Sequence, residues 1–417
     1  PMTDQRPSGP FASLGGGRQA LLDVLGRIDA ARTDPAVEGL FVRANTQGMA
    51  AAQAEEIRSA LAAFRQSGKF VVAHLQNDGV RMGMPGYVAV AGSNQVWTQE
   101  SSEFMPMGLA AEVTFFGATL QRYHMQAQFE TREEYKTAAA EFTNSSFTPA
   151  HREELTGLMN GLYDSMLTDI AADRHMTPQQ ARAAIEATPY VAQRAMDLHL
   201  VDHLGRPEEA QQAAVALAHN KNAEVVDFDD YRPARSTGGR TIAVVQGEGA
   251  IVSGPADDDI FSDNQQMNSD RVARALLDAS ADNDVAAIVF RVNSPGGSVV
   301  ASDQILAALR VARARGKHVV VSMGDVAASG GYYVSAYADE IIAEPTTITG
   351  SIGVLGGKLI IGPAMDHYLS TNTQSLTVGS PLVTMFSTQH TFSPAERAAF
   401  ADFIDRAYTQ FIGLVAD

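Results

Sequence analysis

A serine flanked by small residues is the first candidate for chemistry in this sequence. The stretch GDVAASGGYYVSAYADEI (324–341) places Ser329 between two alanines and two glycines, just before an apolar helical pattern that starts at Tyr332. Such a serine could act as a nucleophile if a base lies within hydrogen-bond reach. It could equally be an N-cap, because serine is preferred there. Tyr332 is interpreted as a helix-packing residue that could also border a substrate groove.

A glycine-rich turn provides a second candidate element. The stretch SPGG (294–297) directly follows an apolar run. Glycine has no Cβ, so a loop that contains it can present its backbone N–H groups to a ligand at close range. The N–H groups of Gly297 and Gly330 could therefore flank an oxyanion as it develops. The alternative for this stretch is an ordinary tight turn.

The base that a nucleophilic serine needs is missing from the neighbourhood of Ser329. The next histidine is His367, and the sequence has no G-x-S-x-G elbow. Lys136, in REEYKTAAAEFT (132–143), precedes three alanines that could pack around it. A lysine acts as a base only when neutral, and burial favours the neutral form. Composition alone also allows a solvated surface lysine.

The two halves of the sequence repeat each other. Three separated blocks align: 34–45 with 282–293 and 57–72 with 305–320, both at an offset of 248, and 147–172 with 392–417 at an offset of 245. A chance match would not keep its offset across three blocks. The chain therefore contains two copies of one structural unit.

The candidate nucleophile and the candidate base are divided between the copies. Ser329 aligns with Arg81 or Gly83, so the first copy has no serine at that position. Lys136 aligns with Pro381, so the second copy has no lysine there. This reciprocal loss predicts one composite site that is assembled from both halves.

Each copy alternates apolar runs with segments of helical period. In the second copy, 286–290 is a continuous apolar run, 302–315 has helical period, and 317–323 is the next apolar run. Continuous apolar runs are typical of parallel strands that are buried on both faces. The order predicts an α/β fold of βαβ units with right-handed crossovers. Ligands bind at the carboxyl ends of strands in such sheets, which is where the candidate residues fall.

A charged segment with proline and glycine, 227–240, separates the two copies. We expect an N-terminal domain, 1–230, to supply the lysine, and a C-terminal domain, 231–417, to supply the serine. The first strand of copy two, 240–252, has no counterpart in copy one, and the segment 195–205 of copy one has none in copy two. We therefore expect a fragment that is trimmed at both ends.

Composition excludes several classes of function. Lys and Arg number 31 against 48 Asp and Glu, and the net charge of −17 disfavours a nucleic-acid binder. The absence of cysteine excludes disulfides, thiolate metal sites and a cysteine nucleophile. No apolar run is long enough for a membrane span, and the start at Pro1 has no signal-peptide pattern.

His199 and His203 have a metal-compatible helical spacing, but a helix end capped by Gly205 is favoured. No metal or cofactor is expected.

Four motifs carry a family resemblance. The stretches SPGGSV, AASGGYY, TGSIGV and YKTA closely resemble the two-copy S49 serine peptidases of the signal peptide peptidase A type. The resemblance covers nearly the whole chain and implies a fold related to the ClpP protease and the crotonases. It also implies the role of each site residue: Ser329 as nucleophile, Lys136 as general base, Ser351 as the residue that orients the lysine, and Gly297 and Gly330 as oxyanion donors.

The same resemblance implies a biological setting. The expected activity is an endopeptidase that degrades cleaved signal peptides and other unfolded apolar peptides through an acyl-enzyme. The expected assembly is a homotetramer on the periplasmic face of the cytoplasmic membrane, with a membrane anchor in the full-length protein. Two alternatives remain open: a crotonase-like acyl-CoA enzyme, and a non-catalytic scaffold of the same fold.

Overall fold

Two parallel sheets, one in each half of the sequence, organise the molecule. The computed structural model describes residues 3–4, 20–45, 48–76, 83–233, 239–255 and 266–416. Each sheet has its own hydrophobic core, one built from residues of the first half and the other from residues of the second. This is the α/β architecture that the alternating pattern predicts.

The first half contains a four-stranded parallel sheet of order β1-β2-β3-β7. Its elements are α1 (Leu21–Thr33), β1 (Gly39–Asn45), α2 (Ala51–Gln66), β2 (Phe70–Gln76), α3 (Met84–Ala91), β3 (Gln95–Thr98), β4 (Glu103–Phe104), α4 (Gly117–Arg122), β5 (Gln126–Thr131), α5 (Ala140–Thr143), α6 (Pro149–Asp173), α7 (Pro178–Glu186), β6 (Tyr190–Val191), α8 (Ala192–Asp197), β7 (His203–Leu204) and α9 (Pro207–Leu217).

The second half contains a parallel sheet of order β13-β12-β11-β8, with β14 added alongside β12. Its elements are β8 (Thr241–Glu248), β9 (Ala250–Val252), β10 (Gln266–Asn268), α10 (Ser269–Ala281), β11 (Val285–Ser294), α11 (Val299–Ala314), β12 (His318–Ala328), α12 (Gly330–Ser335), β13 (Glu340–Ile342), β14 (Ile348–Gly350), β15 (Leu355–Ile360), α13 (Gly362–Leu369) and α14 (Pro394–Ala416).

The register of the two sheets confirms the internal repeat. Gly39 of β1 pairs with Phe70 of β2, and the residues 248 positions later, Ala287 and His318, pair in the same way. The residue that directly precedes the next strand, β3 in one copy and β13 in the other, makes the same kind of hydrogen bond in both copies. The side chain of Asn94 accepts from Val71 N–H at 2.9 Å, and that of Asp339 accepts from Val319 N–H at 2.8 Å.

The local sequence explains where the central elements begin and end. β11 is the continuous apolar run of the second copy, and it is largely buried. The helix predicted at 302–315 begins three residues earlier, because the Ser298 side chain accepts from Ala301 N–H and caps it. The helix expected to start at Tyr332 begins two residues earlier, at Gly330, and ends at Ser335, whose hydroxyl donates to the Gly331 carbonyl at 2.7 Å.

One strand of the first half joins the second half. β5 pairs antiparallel with β15, with Thr131 opposite Leu355 and Gln126 opposite Ile360. This pairing carries the loop after β5, which includes Lys136, to the second half. The domain boundary at 230/231 remains a prediction. The pairing of β5 with β15 means that the two halves contact each other and do not form separate sheets throughout.

Buried and half-buried polar contacts hold the halves together next to the end of β12. Glu55 of α2 accepts from both the N–H and the hydroxyl of Thr346, at 3.1 and 2.7 Å. Asp325 of β12 accepts from Gln53 N–H at 3.1 Å. Arg291 of β11 pairs with Glu56 at 2.7 Å. Because buried polar groups are costly unless they are paired, these contacts fix how α2 sits on the second sheet. We call them the seam.

Across the residues that the structure describes, no helix is long and apolar enough to cross a membrane.

Candidate active site

Ser329 lies at a strained turn between β12 and α12. Its backbone has φ 52° and ψ −117°, a conformation that is uncommon for a residue with a side chain and that often marks functional sites. Its N–H donates to the Gly350 carbonyl, and its carbonyl accepts from Tyr333 N–H, both at 2.9 Å. Its hydroxyl makes no capping hydrogen bond to α12. Ser329 does directly precede the helix, but its side chain does not cap it. The interpretation of Ser329 as a capping residue is therefore wrong.

Lys136 brings its amine to that hydroxyl. Its Nζ lies 3.1 Å from Ser329 Oγ within the same chain. The side chain is half-buried, and this burial lowers the pKa of Lys136 to about 8, although the charge of Glu154 acts in the opposite direction. A surface lysine would keep its full hydration, so the solvated alternative is wrong. An amine with a pKa near 8 is neutral in a useful fraction of molecules at neutral pH.

Ser351 completes the contacts of the amine. Lys136 Nζ donates to the Ser351 carbonyl at 3.0 Å and to its hydroxyl at 2.9 Å. Ser351 follows β14 and also has a positive φ, of 50°. These contacts place Nζ between two serine hydroxyls, with the pKa of the amine already lowered by burial. The three polar residues that the sequence singles out therefore meet at one point.

The glycine turn lies directly against Ser329. A Cβ built on Gly330 would come within 3.2 Å of Gly297 N, so the two predicted donors are neighbours. Among the described residues, neither N–H has a hydrogen-bond acceptor. Gly297 has φ 155°, and a Cβ there would lie 2.2 Å from the Ile251 carbonyl oxygen. The pair can serve an oxyanion near Ser329 Oγ.

Sequence reasoning missed Gly296. It has φ 99°, and a Cβ there would lie 2.6 Å from Gly330 N and 2.8 Å from Ser329 Cβ. Only glycine allows this approach of the turn to the serine. The pair of glycines in the SPGG stretch was the available signal, because two adjacent glycines imply two backbone positions that exclude a side chain, and only Gly297 was singled out.

A cavity of about 370 Å³ opens over these residues. Besides Lys136, the serines and the glycines, its lining is mainly apolar: Ala138, Pro295, Val299, Tyr333, Val354, Leu355, Ala407 and Phe411. The last two belong to α14, which the sequence did not connect with the site. Tyr332 packs against the buried clusters beside α12, as its interpretation as a helix-packing residue predicts, and Tyr333 rather than Tyr332 borders the cavity. The hydroxyl of Tyr333 is directed to Asp303, at 2.9 Å. The cavity suits an uncharged, apolar chain segment.

The histidine pair does not share a helical face. α8 ends at Asp197, His199 lies in a turn with φ 58°, and His203 lies on β7, where its ring is 4.6 Å from that of Trp97. Gly205 follows this strand and caps no helix. Within the described ranges, no group of three His, Cys, Asp or Glu side chains could hold a metal ion. Of the two aligned positions in copy one, Gly83 directly precedes α3, and Arg81 lies outside the described residues.

Comparison with known proteins agrees with the fold and the motifs. The model of peptidase family S49 matches residues 63–221 and 311–417. The Clp protease family model matches residues 259–347, which include β11, β12 and the Ser329 turn. The expected ClpP-like fold is thus confirmed.

Three curated relatives cover most of the chain. Protease 4 of Salmonella typhi is 32% identical over 413 residues, 95% of this chain and 65% of its own length. Protease 4 of Haemophilus influenzae is 29% identical over 80% of this chain and 55% of its own length. The chloroplastic serine protease SPPA of Arabidopsis thaliana is 24% identical over 91% of this chain and 56% of its own length. The chain therefore spans between about half and two thirds of these relatives, and it belongs to peptidase family S49.

Proposed function

We propose that this protein is a serine endopeptidase in which Ser329 is the nucleophile and Lys136 is the general base. The observation that carries the proposal is the 3.1 Å separation of Lys136 Nζ and Ser329 Oγ in the lining of a mainly apolar cavity. In this reading residues 1–230 supply the base and residues 231–417 supply the nucleophile. Both come from one chain.

Acylation follows from the positions of these atoms. Neutral Lys136 takes the proton from Ser329 Oγ as the oxygen forms a bond with the scissile carbonyl carbon. The carbonyl oxygen becomes an oxyanion, and the N–H groups of Gly297 and Gly330 donate to it. The C–N bond then breaks, and the ammonium of Lys136 returns the proton to the leaving amine. The product is an ester on Ser329.

Deacylation repeats these steps with water as the nucleophile in place of Ser329. Lys136 takes a proton from the water as its oxygen attacks the ester carbonyl, and the protonated lysine returns that proton to Ser329 Oγ as the C–O bond breaks. Ser351 acts as a positioning residue, since its carbonyl and hydroxyl accept from the amine at 3.0 and 2.9 Å. With the pKa of Lys136 at about 8, about one tenth of the amines are neutral at pH 7.

The substrate class follows from the walls of the cavity. Apart from Lys136 its lining carries no formal charge at neutral pH among the described residues. We infer that it accepts extended peptides with small or apolar side chains, including cleaved signal peptides and other unfolded segments. A relative from Enterococcus faecium carries the name putative signal peptide peptidase SppA. A membrane-anchored homotetramer on the periplasmic face of the cytoplasmic membrane is the setting that we propose for the full-length protein.

The two alternatives have less support. An acyl-CoA enzyme needs an acidic catalytic residue and cations for the phosphates, and the described lining has no carboxylate and only the cation of Lys136. A non-catalytic scaffold would not require an amine that is held between two serine hydroxyls. No observation on this site favours either function.

Peptide hydrolysis tests the proposal. The purified protein is incubated with an apolar peptide from the core of a bacterial signal sequence and with an acidic peptide of equal length, and mass spectrometry detects the products. We expect cleavage of the apolar peptide and a loss of at least about a thousandfold in Ser329→Ala. Cleavage that persists in Ser329→Ala contradicts the proposal, as does hydrolysis of an acyl-CoA in place of both peptides.

A further inference from the structure

The backbone of Ser329 is held by one segment on each side. Its N–H donates to the carbonyl of Gly350, the last residue of β14, and its carbonyl accepts from the N–H of Tyr333 in α12, both at 2.9 Å. Ser329 has a φ of 52°, and a residue with a side chain keeps such a conformation only where its surroundings impose it. The positions of β14 and α12 therefore determine whether the nucleophile stays in place.

β14 is tied to the first half through Glu55 of α2. The Oε2 atom of Glu55 accepts from the N–H and the hydroxyl of Thr346, at 3.1 and 2.7 Å, and its Oε1 atom accepts from the Ser165 hydroxyl at 3.1 Å. Glu55 and Thr346 are 3% and 2% exposed. Because a buried group is costly once its hydrogen-bond partner is lost, this contact fixes the segment that enters β14 two residues later.

β14 also leads to the residue that holds the base. Ser351 directly follows this strand, and its carbonyl and hydroxyl accept from Lys136 Nζ at 3.0 and 2.9 Å. A shift of β14 would therefore move a contact of the nucleophile and a contact of the base together. Neither Glu55 nor Thr346 lines the cavity, so this contact can act on the reaction only through the positions of other residues.

The second copy has a carboxylate at the equivalent position. Asp303 lies 248 residues after Glu55, which is the offset of the aligned helices α2 and α11. Asp303 accepts from the Tyr333 hydroxyl at 2.9 Å and from Gln410 Nε2 at 3.0 Å. The hydrogen bond from Tyr333 fixes α12 against α11. The Asp303 carboxylate therefore supports the segment on the other side of Ser329.

We propose that Glu55 and Asp303 are positioning residues that together hold Ser329 in its strained conformation, each from its own copy of the repeat. Glu55 acts through Thr346 and β14, and Asp303 acts through Tyr333 and α12. This inference rests on the proposed function, because it assigns two residues to the support of the nucleophile.

The residues that follow the two carboxylates provide matched controls. Glu56 accepts from Arg291 of β11 at 2.7 Å, and Arg291 also pairs with Asp4, so removal of Glu56 leaves the arginine with a partner. Gln304 accepts from the Ser269 hydroxyl at 2.7 Å. None of these contacts involves β14 or α12. The controls therefore remove a polar side chain from the same two helices without releasing either support of Ser329.

The test measures the rate at which a serine-directed fluorophosphonate labels Ser329, together with kcat and KM for an apolar peptide. Glu55→Ala and Asp303→Ala are compared with Glu56→Ala and Gln304→Ala. We expect the labelling rate to fall at least about tenfold in the first pair and to change less than about twofold in the controls. In Glu55→Ala, kcat should fall while KM stays within about twofold of the wild-type value, because the side chain does not line the cavity.

Conservative variants test whether the carboxylates act as hydrogen-bond acceptors. Glu55→Gln and Asp303→Asn keep an oxygen that can accept from the same donors, so their labelling rates should stay within about twofold of the wild-type rate. Thermal denaturation shows which variants are folded. Thr346→Val and Tyr333→Phe each remove only one hydroxyl donor, with little change in volume, and they replace an alanine variant that does not fold. Each should lower the labelling rate at least about threefold.

Three results overturn the inference: labelling of either folded alanine variant at the wild-type rate, an equal fall in the controls, or losses in Glu55→Gln and Asp303→Asn as large as those in the alanine variants. In each of these cases a wild type that is labelled on Ser329 shows that the proposed function still holds. A wild type that carries no label contradicts the proposed function, and this inference with it.

Discussion

The amine nitrogen of Lys136 and the hydroxyl oxygen of Ser329 lie 3.1 Å apart, although 193 residues separate them in sequence. The pairing of β5 with β15 brings the lysine from one copy of the repeat to the serine of the other. Neither copy alone holds both groups. The site therefore depends on the association of the two halves as well as on the fold of each.

The pH dependence of the reaction should follow the lysine. Burial lowers the pKa of Lys136 to about 8, and only the neutral amine accepts a proton. The rate of peptide cleavage should therefore rise with pH and reach half of its maximum near pH 8. Cleavage rates measured from pH 6 to 10 give this midpoint. A midpoint near that of free histidine or of free lysine would show that another group is the base.

Ser351→Ala should weaken the reaction without abolishing it. The variant removes one of three hydrogen bonds of Lys136 Nζ, so we expect about a tenfold loss in kcat and a shift in the midpoint of the pH profile. Ser370→Ala is a matched control, because Ser370 has a similar φ of 52° and is exposed outside the site. An equal loss in both variants would assign the effect to the backbone.

Gly296→Ala should eliminate activity. The added Cβ would lie 2.6 Å from Gly330 N and 2.8 Å from Ser329 Cβ, so the turn and the serine must separate. Gly316→Ala is the control, because Gly316 has φ 81° and nothing within 4 Å of the added Cβ. The control should lose about 1 kcal/mol of stability and keep its activity. Kinetics and thermal denaturation of both variants distinguish a local effect from unfolding, and an active Gly296→Ala would refute the close packing of this turn.

The seam should make stability depend on pH through Asp325. Burial raises the pKa of Asp325 to about 6 from 3.8, so between these values the folded protein binds a proton that the unfolded chain has released. The contribution of this group to stability therefore falls as pH rises from about 4 to 6. Asp325→Asn removes this loss. The free energy of unfolding of the variant, relative to that of the wild type, should therefore increase over that range by about 3 kcal/mol at most. Urea denaturation at pH 4.5 and 7.5 measures the difference, and a difference that does not change with pH contradicts the assignment.

The sequence was sufficient to predict the repeat and the polar residues of the site. The serine, the lysine and the SPGG stretch stand out because one copy has each of them and the other does not. The βαβ order could be predicted because buried parallel strands are continuous apolar runs in the sequence. The motif resemblance adds Ser351, which no local pattern identifies.

The remaining features depend on contacts between distant segments. The antiparallel pairing of β5 with β15, and the placement of Ala407 and Phe411 in the cavity wall, have no periodic signal in either segment alone. The positive φ of Ser329 also depends on tertiary structure, since Gly350 accepts from its N–H. The helical spacing of His199 and His203 was misleading because α8 ends before either residue.

Covalent labelling with a serine-directed fluorophosphonate tests the activation of Ser329 by Lys136 directly, with intact-mass measurement of the wild type, Ser329→Ala and Lys136→Ala. We expect one adduct on the wild type and none on either variant, because the hydroxyl reacts only when Lys136 takes its proton. Labelling of Lys136→Ala at the wild-type rate would show that a different group activates Ser329.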